Sequence, residues 1–281
     1  MNIQWYPGHM TKALRDMQES INLVDIIIEI LDARVPFSSQ NPNIKKMAAN
    51  KKHIIVLNKS DLSNELQNKA WKAHFEGFGY GVVITDSATG KGIAQIIEAS
   101  RYIMADKIAR QKARGRLNVP IRAMIAGIPN VGKSTIINKA AKRAIAKVED
   151  RPGVTRAKKW IKIASDFELL DTPGVLWPKF DNQIVGINLS LIGSINDNIL
   201  NLEELAMLLI DYLLKNNQKE LFDRYKLKTD TTPSPHDILI EIGKNRGHIV
   251  SKHQIDIKKS AIILLDEFRA GILGKFTLEH P

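Results

Sequence analysis

The residues with the clearest chemistry form the run Gly127–Ser134, whose sequence GIPNVGKS fits the pattern G-x-x-x-x-G-K-S. The run follows a segment typical of a strand and precedes one typical of a helix, the context that a phosphate-binding loop requires. Glycines let successive backbone N–H groups curl around a phosphate, and the helix N-terminus adds partial positive charge. We expect Lys133 to contact the β- and γ-phosphates and Ser134 to offer its hydroxyl to Mg²⁺. The predicted phosphate-binding residues are Asn130, Val131, Gly132, Lys133, Ser134 and Thr135.

A second group of candidate ligands lies downstream of this loop. Asp171 directly follows the run Glu168–Leu170, and an Asp at a strand end can hold Mg²⁺ through a water molecule. Three residues later, the N–H of Gly174 can meet the γ-phosphate. Thr155, in the intervening run RPGVT, is the candidate second Mg²⁺ ligand, on a loop that orders only with a triphosphate. The predicted Mg²⁺ ligands are Ser134, Thr155 and Asp171, and Lys133 and Thr155 are predicted to take part in catalysis.

A polar turn with the sequence NKSD, Asn58–Asp61, follows the apolar run His53–Leu57. The Asp61 carboxylate can accept hydrogen bonds from both N1–H and the 2-amino group of guanine, which adenine does not offer. The Lys59 stem can pack along the base plane, and Asn58 can tie this turn to the phosphate loop. These residue types favour guanine as the base that is read.

A similar turn, residues 85–91, follows the next predicted strand along the chain. Its Ala88 N–H, next to Ser87, can donate to O6 of guanine, where adenine carries an amino group. The phosphate loop alone does not distinguish ATP from GTP. Two such turns behind two consecutive strands predict that the nucleotide is GTP.

The order of these motifs is unusual. They are the elements of Ras-like GTPases, but the base-reading turns precede the phosphate loop and the Mg²⁺ elements. In this order the chain resembles the circularly permuted GTPases, specifically those that assist ribosome assembly. The resemblance extends over essentially the whole chain, including the stretches Trp5–Met10, Asp32–Pro36 and Gly271–Lys275.

This resemblance implies a Ras-like α/β sheet, circularly permuted and followed by an all-α domain. It implies a factor for late assembly of the large ribosomal subunit that binds rRNA in a GTP-dependent manner. Such a factor hydrolyses GTP to GDP and phosphate, faster on the particle than alone. The partners implied are the large subunit, its rRNA and ribosomal proteins.

This chain lacks the residue with which Ras-type enzymes orient the attacking water. Ras-type enzymes place a glutamine after D-x-x-G, whereas this chain has Val175, whose side chain neither donates nor accepts. The family resemblance points to His9 in the run PGHM as a catalytic residue. The alternative is that His9 caps the first helix or contacts RNA.

A monovalent cation is a further expectation from the resemblance. In several GTPases that lack the glutamine and an arginine finger, an Asn at the position of Asn130 helps to hold K⁺ near the phosphates. Such an ion could supply the charge that an arginine would otherwise provide. The alternative is a loop Asn with only local hydrogen bonds.

Apolar and helical patterns alternate through the first half of the chain, which predicts a parallel sheet covered on both faces. The predicted strands are 24–31, 53–57, 81–84, 121–126 and 168–170. The predicted helices are 11–22, 65–78, 93–114 and 134–143. After Pro178 the pattern becomes helical, with helices expected from Asn201 and over 251–270, separated by the run TTPSP at 231–235. We expect a GTPase domain over residues 1–180 and a helical domain, docking on RNA, over 181–281.

The charge distribution predicts an anionic partner. The chain carries a net charge of +11, and residues 1–180 hold 29 of its 41 Lys and Arg residues but 16 of its 30 Asp and Glu residues. Basic side chains cluster in this half and could follow a phosphate backbone. The clusters are Arg101, Lys107, Arg110, Lys112, Arg114, Arg116 and Arg122, then Lys142, Arg143, Arg156, Lys158, Lys159 and Lys162. A smaller patch in the helical half contains Lys244, Arg246, His248, Lys252, His253, Lys258 and Lys259, whose histidines we interpret as solvated or facing RNA.

Composition limits the remaining classes of function. The chain has no cysteine, which excludes disulfides and fits a reducing compartment. Its first residues do not resemble a signal peptide, and its apolar runs are too short to cross a bilayer. We expect a cytoplasmic protein, monomeric off the ribosome. Two alternatives stay open: a GTPase acting on another RNA, in small-subunit assembly or RNA modification, and a GTP-gated binding module whose hydrolysis is incidental.

Overall fold

The computed structural model describes residues 8–116, 119–145, 160–216, 218–228, 234–250 and 254–281, without the side chains of His9, Gln218 and residues 143–145. The chain divides into two compact units. The sheet unit comprises the described residues up to Lys179 together with Thr277–Pro281, and the helical unit those of Phe180–Phe276. The last five residues of the sequence therefore belong to the sheet unit, although the chain reaches them from the helical unit.

Within the described residues, six strands form one sheet in the spatial order β3-β2-β1-β4-β6-β5. Neighbouring strands are parallel, except that β5 pairs antiparallel with β6. The strands are β1 (Ile26–Asp32), β2 (Lys52–Asn58), β3 (Gly81–Ile84), β4 (Ile121–Gly127), β5 (Trp160–Ala164) and β6 (Phe167–Asp171). The predicted α/β class and parallel sheet are confirmed. Only β5 was not predicted, because its residues alternate around a half-exposed edge and form no continuous apolar run.

The central strand shows why these segments form a sheet. All seven residues of β1, IIIEILD, are buried. Isoleucine is β-branched and suits the pleated surface, and a strand buried on both faces needs apolar residues at successive positions. β1 pairs with β2 so that Asp32 lies opposite Asn58. This register brings two polar strand ends side by side.

The helices of the sheet unit are α1 (Gly8–Ser20), α2 (Pro42–Met47), α3 (Glu65–Gly77), α4 (Ile93–Ile103), α5 (Ala105–Ala113) and α6 (Lys133–Ile145). The predicted helix over 93–114 is interrupted at Met104, which is buried and leaves the helical conformation with φ −96° and ψ 4°. The short helix α2 was not predicted. It begins with Asn41, whose side chain accepts from the N–H of Asn43, and has Pro42 at its first position.

Two apolar clusters hold helices against one face of the sheet. The first joins α1 and α2 to the sheet through residues that include Met17, Ile44 and Ile27. The second joins α3 to β1 and β2 through Trp71 and Leu31. Because successive strand residues point to opposite faces, the buried neighbours of Ile27 and Leu31 in β1 face the other side of the sheet. There α4 and α6 pack against each other and against the strands.

The helical unit contains α7 (Gln183–Leu191), α8 (Leu202–Asn216), α9 (Gln218–Tyr225), α10 (Pro235–Arg246) and α11 (Ile257–Arg269). As predicted, Asn201 caps α8, its side chain accepting from the N–H of Glu204 at 3.2 Å. The helix expected over 251–270 was wrong at its start, because the described residues 254–256 are not helical, while Ser251 lies outside the described residues. α11 begins at Ile257, where the Asp256 side chain accepts from the N–H of Lys259 and caps the helix. In the described parts of the chain, every helix falls short of the length and apolarity needed to cross a membrane.

The parallel strands place four loops at one edge of the sheet. Loops that follow the carboxyl ends of parallel strands meet at that edge. The loops after β2 and β3 come first in the chain, and those after β4 and β6 come later, yet β4 lies next to β1 in space. The sheet therefore assembles the predicted base-reading turns and phosphate elements in one place despite their permuted order.

Candidate nucleotide-binding site

A cavity of about 660 Å³ lies where β4 and β6 end. Its lining combines the predicted phosphate loop with the predicted turn Asp171–Gly174. The lining residues are Pro129, Asn130, Gly132, Lys133, Ser134, Thr135, Asp171, Thr172, Pro173 and Gly174. A cavity with this lining suits a polyphosphate, because it combines backbone donors, a lysine and a helix N-terminus.

The backbone of the loop depends on Gly132. Its φ is +98°, a conformation that favours glycine, and an added Cβ would run into the Asn58 side-chain amide. Asn130 also has a positive φ, of 61°, and its side chain is exposed. The loop thus takes a curled path that brings it against the turn after β2. Val131 completes the curl with a fully buried side chain.

Lys133 is the buried cation of this cavity. Its ammonium group donates to the carbonyl oxygens of Gly127 at 3.1 Å and Ile128 at 2.7 Å. Burial lowers the pKa of Lys133 to about 8, against the opposing effect of the Asp171 charge. A phosphate entering the cavity would offer this ammonium group a charged partner, which carbonyl oxygens do not.

The expected Mg²⁺ ligands lie at two points of the cavity. Ser134 is exposed in the first turn of α6, and Asp171 is half-buried at the end of β6. Thr155, the third predicted ligand, lies outside the described residues. Mg²⁺ usually keeps several waters and takes only one or two protein carboxylates beside phosphate oxygens. One carboxylate, Asp171, and one hydroxyl, Ser134, at the lining of a cavity that suits a polyphosphate are a donor set of this kind.

The turn after β6 packs closely on the phosphate loop. A Cβ on Gly174 would lie 2.8 Å from the Lys133 nitrogen and 2.8 Å from Pro129 Cα, so the approach needs glycine. The next residue, Val175, donates its N–H to the Gly127 carbonyl at 3.2 Å, and its carbonyl accepts from the Asn41 side chain at 2.8 Å. The Val175 side chain is fully buried in the core. An apolar side chain enclosed in this way offers no hydrogen bond to a water.

Asn58 joins three loops. Its side-chain nitrogen donates to the Val131 carbonyl at 2.7 Å and to the Ser87 hydroxyl at 3.0 Å. Its side-chain oxygen accepts from the Thr85 hydroxyl and from the Ser87 N–H, both at 3.0 Å. Asn58 is fully buried, so these bonds are shielded from water. The two predicted base-reading turns and the phosphate loop are therefore held as one assembly.

Lys59 is held by a buried carboxylate. It has a positive φ of 60°, and its ammonium group lies 3.0 Å from Asp32 Oδ2. The Arg34 guanidinium donates two bonds to the same carboxylate, at 2.9 and 2.8 Å. Burial tends to raise the pKa of Asp32, but the charges and hydrogen bonds of Arg34 and Lys59 outweigh it and hold this pKa well below its usual range. Asp32 is therefore an anion that fixes two cations at the carboxyl end of β1.

The second base-reading turn has a feature that the sequence did not predict. The Asp86 carboxylate accepts from the N–H groups of Ala88 at 2.8 Å and Thr89 at 3.2 Å. The Ala88 N–H, expected to donate to guanine O6, thus already has a partner in the described structure. Lys139 of α6 donates to the Ala88 carbonyl. Across from this turn, Asp61 is partly buried, and the Ser60 N–H donates to the Thr85 carbonyl at 3.1 Å.

His9 and Asn130 are the two residues expected to act in hydrolysis beside the phosphate loop and the Mg²⁺ ligands. The backbone of His9 belongs to α1, but its side chain is outside the described residues. Asn130, the expected K⁺ ligand, lines the phosphate cavity. Its position at the cavity is compatible with contact to an ion bound beside the phosphates.

Several basic side chains expected to meet RNA are paired within the protein. Arg101 forms two hydrogen bonds with Asp166, and Lys107 pairs with Asp25. Arg122 lies over the Trp160 ring, 5.3 Å from its centroid, and pairs with Glu168. Because these basic side chains already pair with carboxylates of the same protein, they are weaker candidates for RNA contacts.

The interpretation of His248 as solvated or facing RNA was wrong. His248 is 5% exposed, and its Nδ1 lies 3.0 Å from the Ser260 hydroxyl. Burial lowers its pKa, with the nearby charge of Lys259 acting in the same direction. A buried imidazole between α10 and α11 packs the helical unit. Lys252, His253 and the basic residues at 156–159 lie outside the described residues.

Sequence reasoning assigned no role to Asp32, although the stretch Asp32–Pro36 contributed to the family resemblance. An Asp at the end of an otherwise apolar strand is the signal that could have revealed it. Arg34 is close to Asp32 in sequence, but Lys59 reaches it only because β1 and β2 end side by side. That register cannot be read from the sequence alone.

Two family models match the chain. One, described as 50S ribosome-binding GTPase, covers residues 122–241. The other, described as RsgA GTPase, covers residues 43–181. Together they include the base-reading turns, the phosphate loop and part of the helical unit.

Full-length relatives and a solved structure complete the comparison. Ribosome biogenesis GTPase A of Bacillus cereus is 44% identical over 100% of this chain and 95% of its own length. The protein of the same name from Bacillus licheniformis is 43% identical over 100% of this chain and 99% of its own. The GNP-bound structure of YlqF from T. maritima has the same fold, with a TM-score of 0.66 at 24% identity over 96% of this chain and 98% of that one. The permuted site and these full-length relatives show that the chain belongs to the ribosome biogenesis GTPase A family and is a circularly permuted GTP hydrolase.

Proposed function

We propose that the protein assists late assembly of the large ribosomal subunit, binding rRNA when GTP is bound and hydrolysing GTP on the particle. The full-length similarity to ribosome biogenesis GTPase A carries this proposal. The family model described as 50S ribosome-binding GTPase supports it, because its match runs from the sheet unit into the helical unit. The protein would act in the cytoplasm and be monomeric off the particle.

At the phosphate end of the site, the proposed role of each residue is based on its place in the phosphate loop or in the Mg²⁺ motifs. Lys133 binds the β- and γ-phosphates from inside the loop, and the Gly174 N–H meets the γ-phosphate. Ser134, Asp171 and Thr155 would hold Mg²⁺, which neutralises phosphate charge when bound. Asn130–Thr135 supply the loop that carries the polyphosphate, with their backbone N–H groups as donors.

At the base end, Asp61 accepts from N1–H and the 2-amino group of guanine. Lys59, fixed by Asp32, lies along the base, and Asn58 keeps this turn in register with the phosphate loop. The Ala88 N–H, beside Ser87, donates to O6. The Ala88 N–H now donates to the Asp86 carboxylate. We expect guanine O6 to share this N–H with Asp86 or to replace Asp86 as its acceptor.

For hydrolysis, we propose that His9 orients the attacking water and that Asn130 helps to hold K⁺. Because the Val175 side chain is apolar and buried, hydrolysis needs another group to position the water. A His9→Ala protein should lose most particle-stimulated turnover and keep its affinity for GTP, and full turnover would exclude the catalytic role. Rates that are equal in NaCl and KCl at matched ionic strength would exclude K⁺.

RNA contact is proposed for exposed basic side chains. Arg110, Lys112 and Arg114 of the α5 region and Arg116 after it are exposed, in contrast to the paired Lys107. In the helical unit, Lys244, Lys258 and Lys259 are exposed. Neutralisation of rRNA phosphates by such side chains releases counterions and supports binding.

The test measures GTP hydrolysis in KCl with purified large subunits, with small subunits, and with neither. We expect stimulation by large subunits only. Lys133→Ala should lose roughly 10- to 100-fold in turnover at subsaturating GTP, as expected when a hydrogen bond to a charged group is removed. The matched control is Lys45→Ala, an exposed lysine of α2 outside the basic clusters, which should behave as the parent protein.

The alternatives predict other outcomes. Stimulation by small subunits, or by an RNA outside the ribosome alone, would replace the proposal with a GTPase acting on that RNA. GTP-dependent binding to the large subunit that drives assembly without hydrolysis would indicate a GTP-gated binding module. Binding that does not depend on the nucleotide would contradict both.

A further inference from the structure

The segment Thr277–Pro281 lies against the base end of the site. The chain leaves the helical unit at Phe276, and these last residues pack within the sheet unit. The Leu278 N–H donates to the Arg34 carbonyl at 2.8 Å, and the Thr277 hydroxyl accepts from the Asn64 N–H at 3.1 Å. Thr277 is 5% exposed, so these contacts are enclosed by protein.

Glu279 anchors the segment. Its carboxylate accepts from the N–H groups of Phe37 at 2.7 Å and Ser38 at 3.1 Å, and from the Ser38 hydroxyl. Its backbone carbonyl accepts from the Trp71 indole N–H at 3.2 Å. Consecutive backbone N–H groups form a concave site for an anion, and hydrogen bonds to a carboxylate are stronger than those to neutral acceptors. One side chain therefore fastens the segment to the loop after β1.

The segment contacts both flanks of the base-reading turn Asn58–Asp61. On one flank it holds the backbone of Arg34, whose guanidinium grips Asp32, which in turn holds Lys59. On the other flank it bonds to Asn64, which caps α3 three residues after Asp61. Without the segment, the backbone groups of residues 34–38 and 64 would lose these partners. The turn would then have to be ordered when the base binds, which weakens binding.

We propose that Thr277–Pro281 is a positioning element of the guanine subsite, acting through Arg34 and Asp32 on Lys59. This inference rests on the proposed assignment of Asn58–Asp61 to guanine. Its hydrogen-bond partners Phe37, Ser38, Asn64 and Trp71 lie outside the lining of the phosphate cavity, so we expect its effect to fall on the base. The loop after β1, which no motif assigns to nucleotide binding, becomes part of base recognition.

The test compares a ligand that has a base with one that has none. In the full chain, Glu279→Gln and a deletion of residues 277–281 should raise the Kd for GDP roughly tenfold and leave the Kd for inorganic pyrophosphate unchanged. Glu279→Gln keeps the shape of the side chain and serves if the deletion fails to fold. The matched control is His280→Ala, an exposed neighbour that should change neither Kd. Equal weakening of both ligands, or an unchanged Kd for GDP, would overturn the inference.

A double-mutant cycle tests the route through Lys59. If Glu279 acts by positioning Lys59, Glu279→Gln should have no further effect on GDP affinity in a Lys59→Ala background. Additive effects of the two substitutions would show that the segment does not act through Lys59.

The substitution Asp61→Asn tests the assignment of Asn58–Asp61 to guanine separately from the positioning role of Thr277–Pro281. Xanthine carries a carbonyl where guanine carries the 2-amino group, so an Asn amide should bind xanthosine diphosphate in preference to GDP. If Asp61→Asn leaves the preference for GDP intact, the guanine assignment itself fails. If the preference switches but Glu279→Gln has no effect on GDP, only the positioning role of the segment fails.

Discussion

At the residue scale, Lys133 is a cation held in a place that disfavours its charge. Burial lowers its pKa to about 8 from an ordinary value of 10.5, and its partners are neutral carbonyls. The folded chain without nucleotide therefore binds fewer protons than the unfolded chain between these two values. From this group, the free energy of unfolding should rise as the pH rises from about 8 towards 10.5.

Bound phosphate favours the charged form of Lys133, whereas burial disfavours it, and this difference leads to the first prediction. A bound polyphosphate stabilises the ammonium form and raises the pKa of Lys133, so GDP binding just above pH 8 should be accompanied by proton uptake. GDP affinity should be constant below about pH 8 and fall as the pH rises above it. Calorimetry in buffers of different ionisation enthalpy measures the uptake. Lys133→Arg, whose guanidinium stays protonated, should abolish uptake, whereas Lys142→Ala should retain it.

At the scale of elements, the turn after β6 approaches the phosphate loop so closely that Gly174 has no room for a side chain. The Lys133 nitrogen and the Pro129 backbone both lie within 2.9 Å of where a Cβ would stand. The Val175 N–H bond to Gly127 ties the two loops together immediately beyond this point. A turn fixed in this way can place a backbone N–H beside the γ-phosphate.

The second prediction follows from this contact. Gly174→Ala should push the turn off the loop and displace the N–H that meets the γ-phosphate. We expect it to weaken binding of a GTP analogue about tenfold relative to GDP, since overpacking costs about 1–3 kcal/mol. Fluorescence titration with the two nucleotides measures the ratio. Gly77→Ala, at a glycine with no atom near the added Cβ and no positive φ, controls for loss of a glycine, and an equal loss for GTP and GDP would contradict the prediction.

The sequence predicts the elements that have a local signal. Strands β1–β4 are runs of apolar residues, and the phosphate loop is a motif whose flanking pattern fixes its context. β5 could not be predicted because an edge strand needs apolar residues on only one side. The short helix α2 and the break at Met104 depend on capping and packing, which hydrophobic periodicity does not report.

In the site, too, the sequence predicted only the residues that stand in a local motif. Asn58, Lys133 and Asp171 were named because each stands in a recognisable run. The Asp86 bond to the Ala88 N–H and the Glu279 bonds to Phe37 and Ser38 were not foreseen. The second of these joins residues 242 positions apart, so only the folded chain shows it.

At the scale of the whole molecule, the net charge of +11 does not translate directly into a binding surface. Ion pairs within the protein use part of it, as for Arg101 with Asp166 and Arg122 with Glu168. One group of basic residues that stays exposed in the sheet unit, Arg110, Lys112, Arg114 and Arg116, lies along α5 and directly after it. A partner that follows a phosphate backbone would meet this exposed part.

The third prediction separates exposed from paired basic residues. A triple variant with Lys112, Arg114 and Arg116 changed to Ala removes three exposed charges, whereas Arg101→Ala with Arg122→Ala removes two that are paired with carboxylates. If the exposed set contacts rRNA phosphates, the slope of log binding constant against log salt concentration should fall by about 2 to 3 for the triple variant, since each phosphate contact contributes about 0.7–0.9. The paired variant should keep the parent slope, because its charges are already neutralised within the fold. Titration of large subunits in the presence of a GTP analogue over a range of KCl concentrations gives both slopes, and equal slopes for the parent and the triple variant would place the rRNA contact elsewhere on the protein.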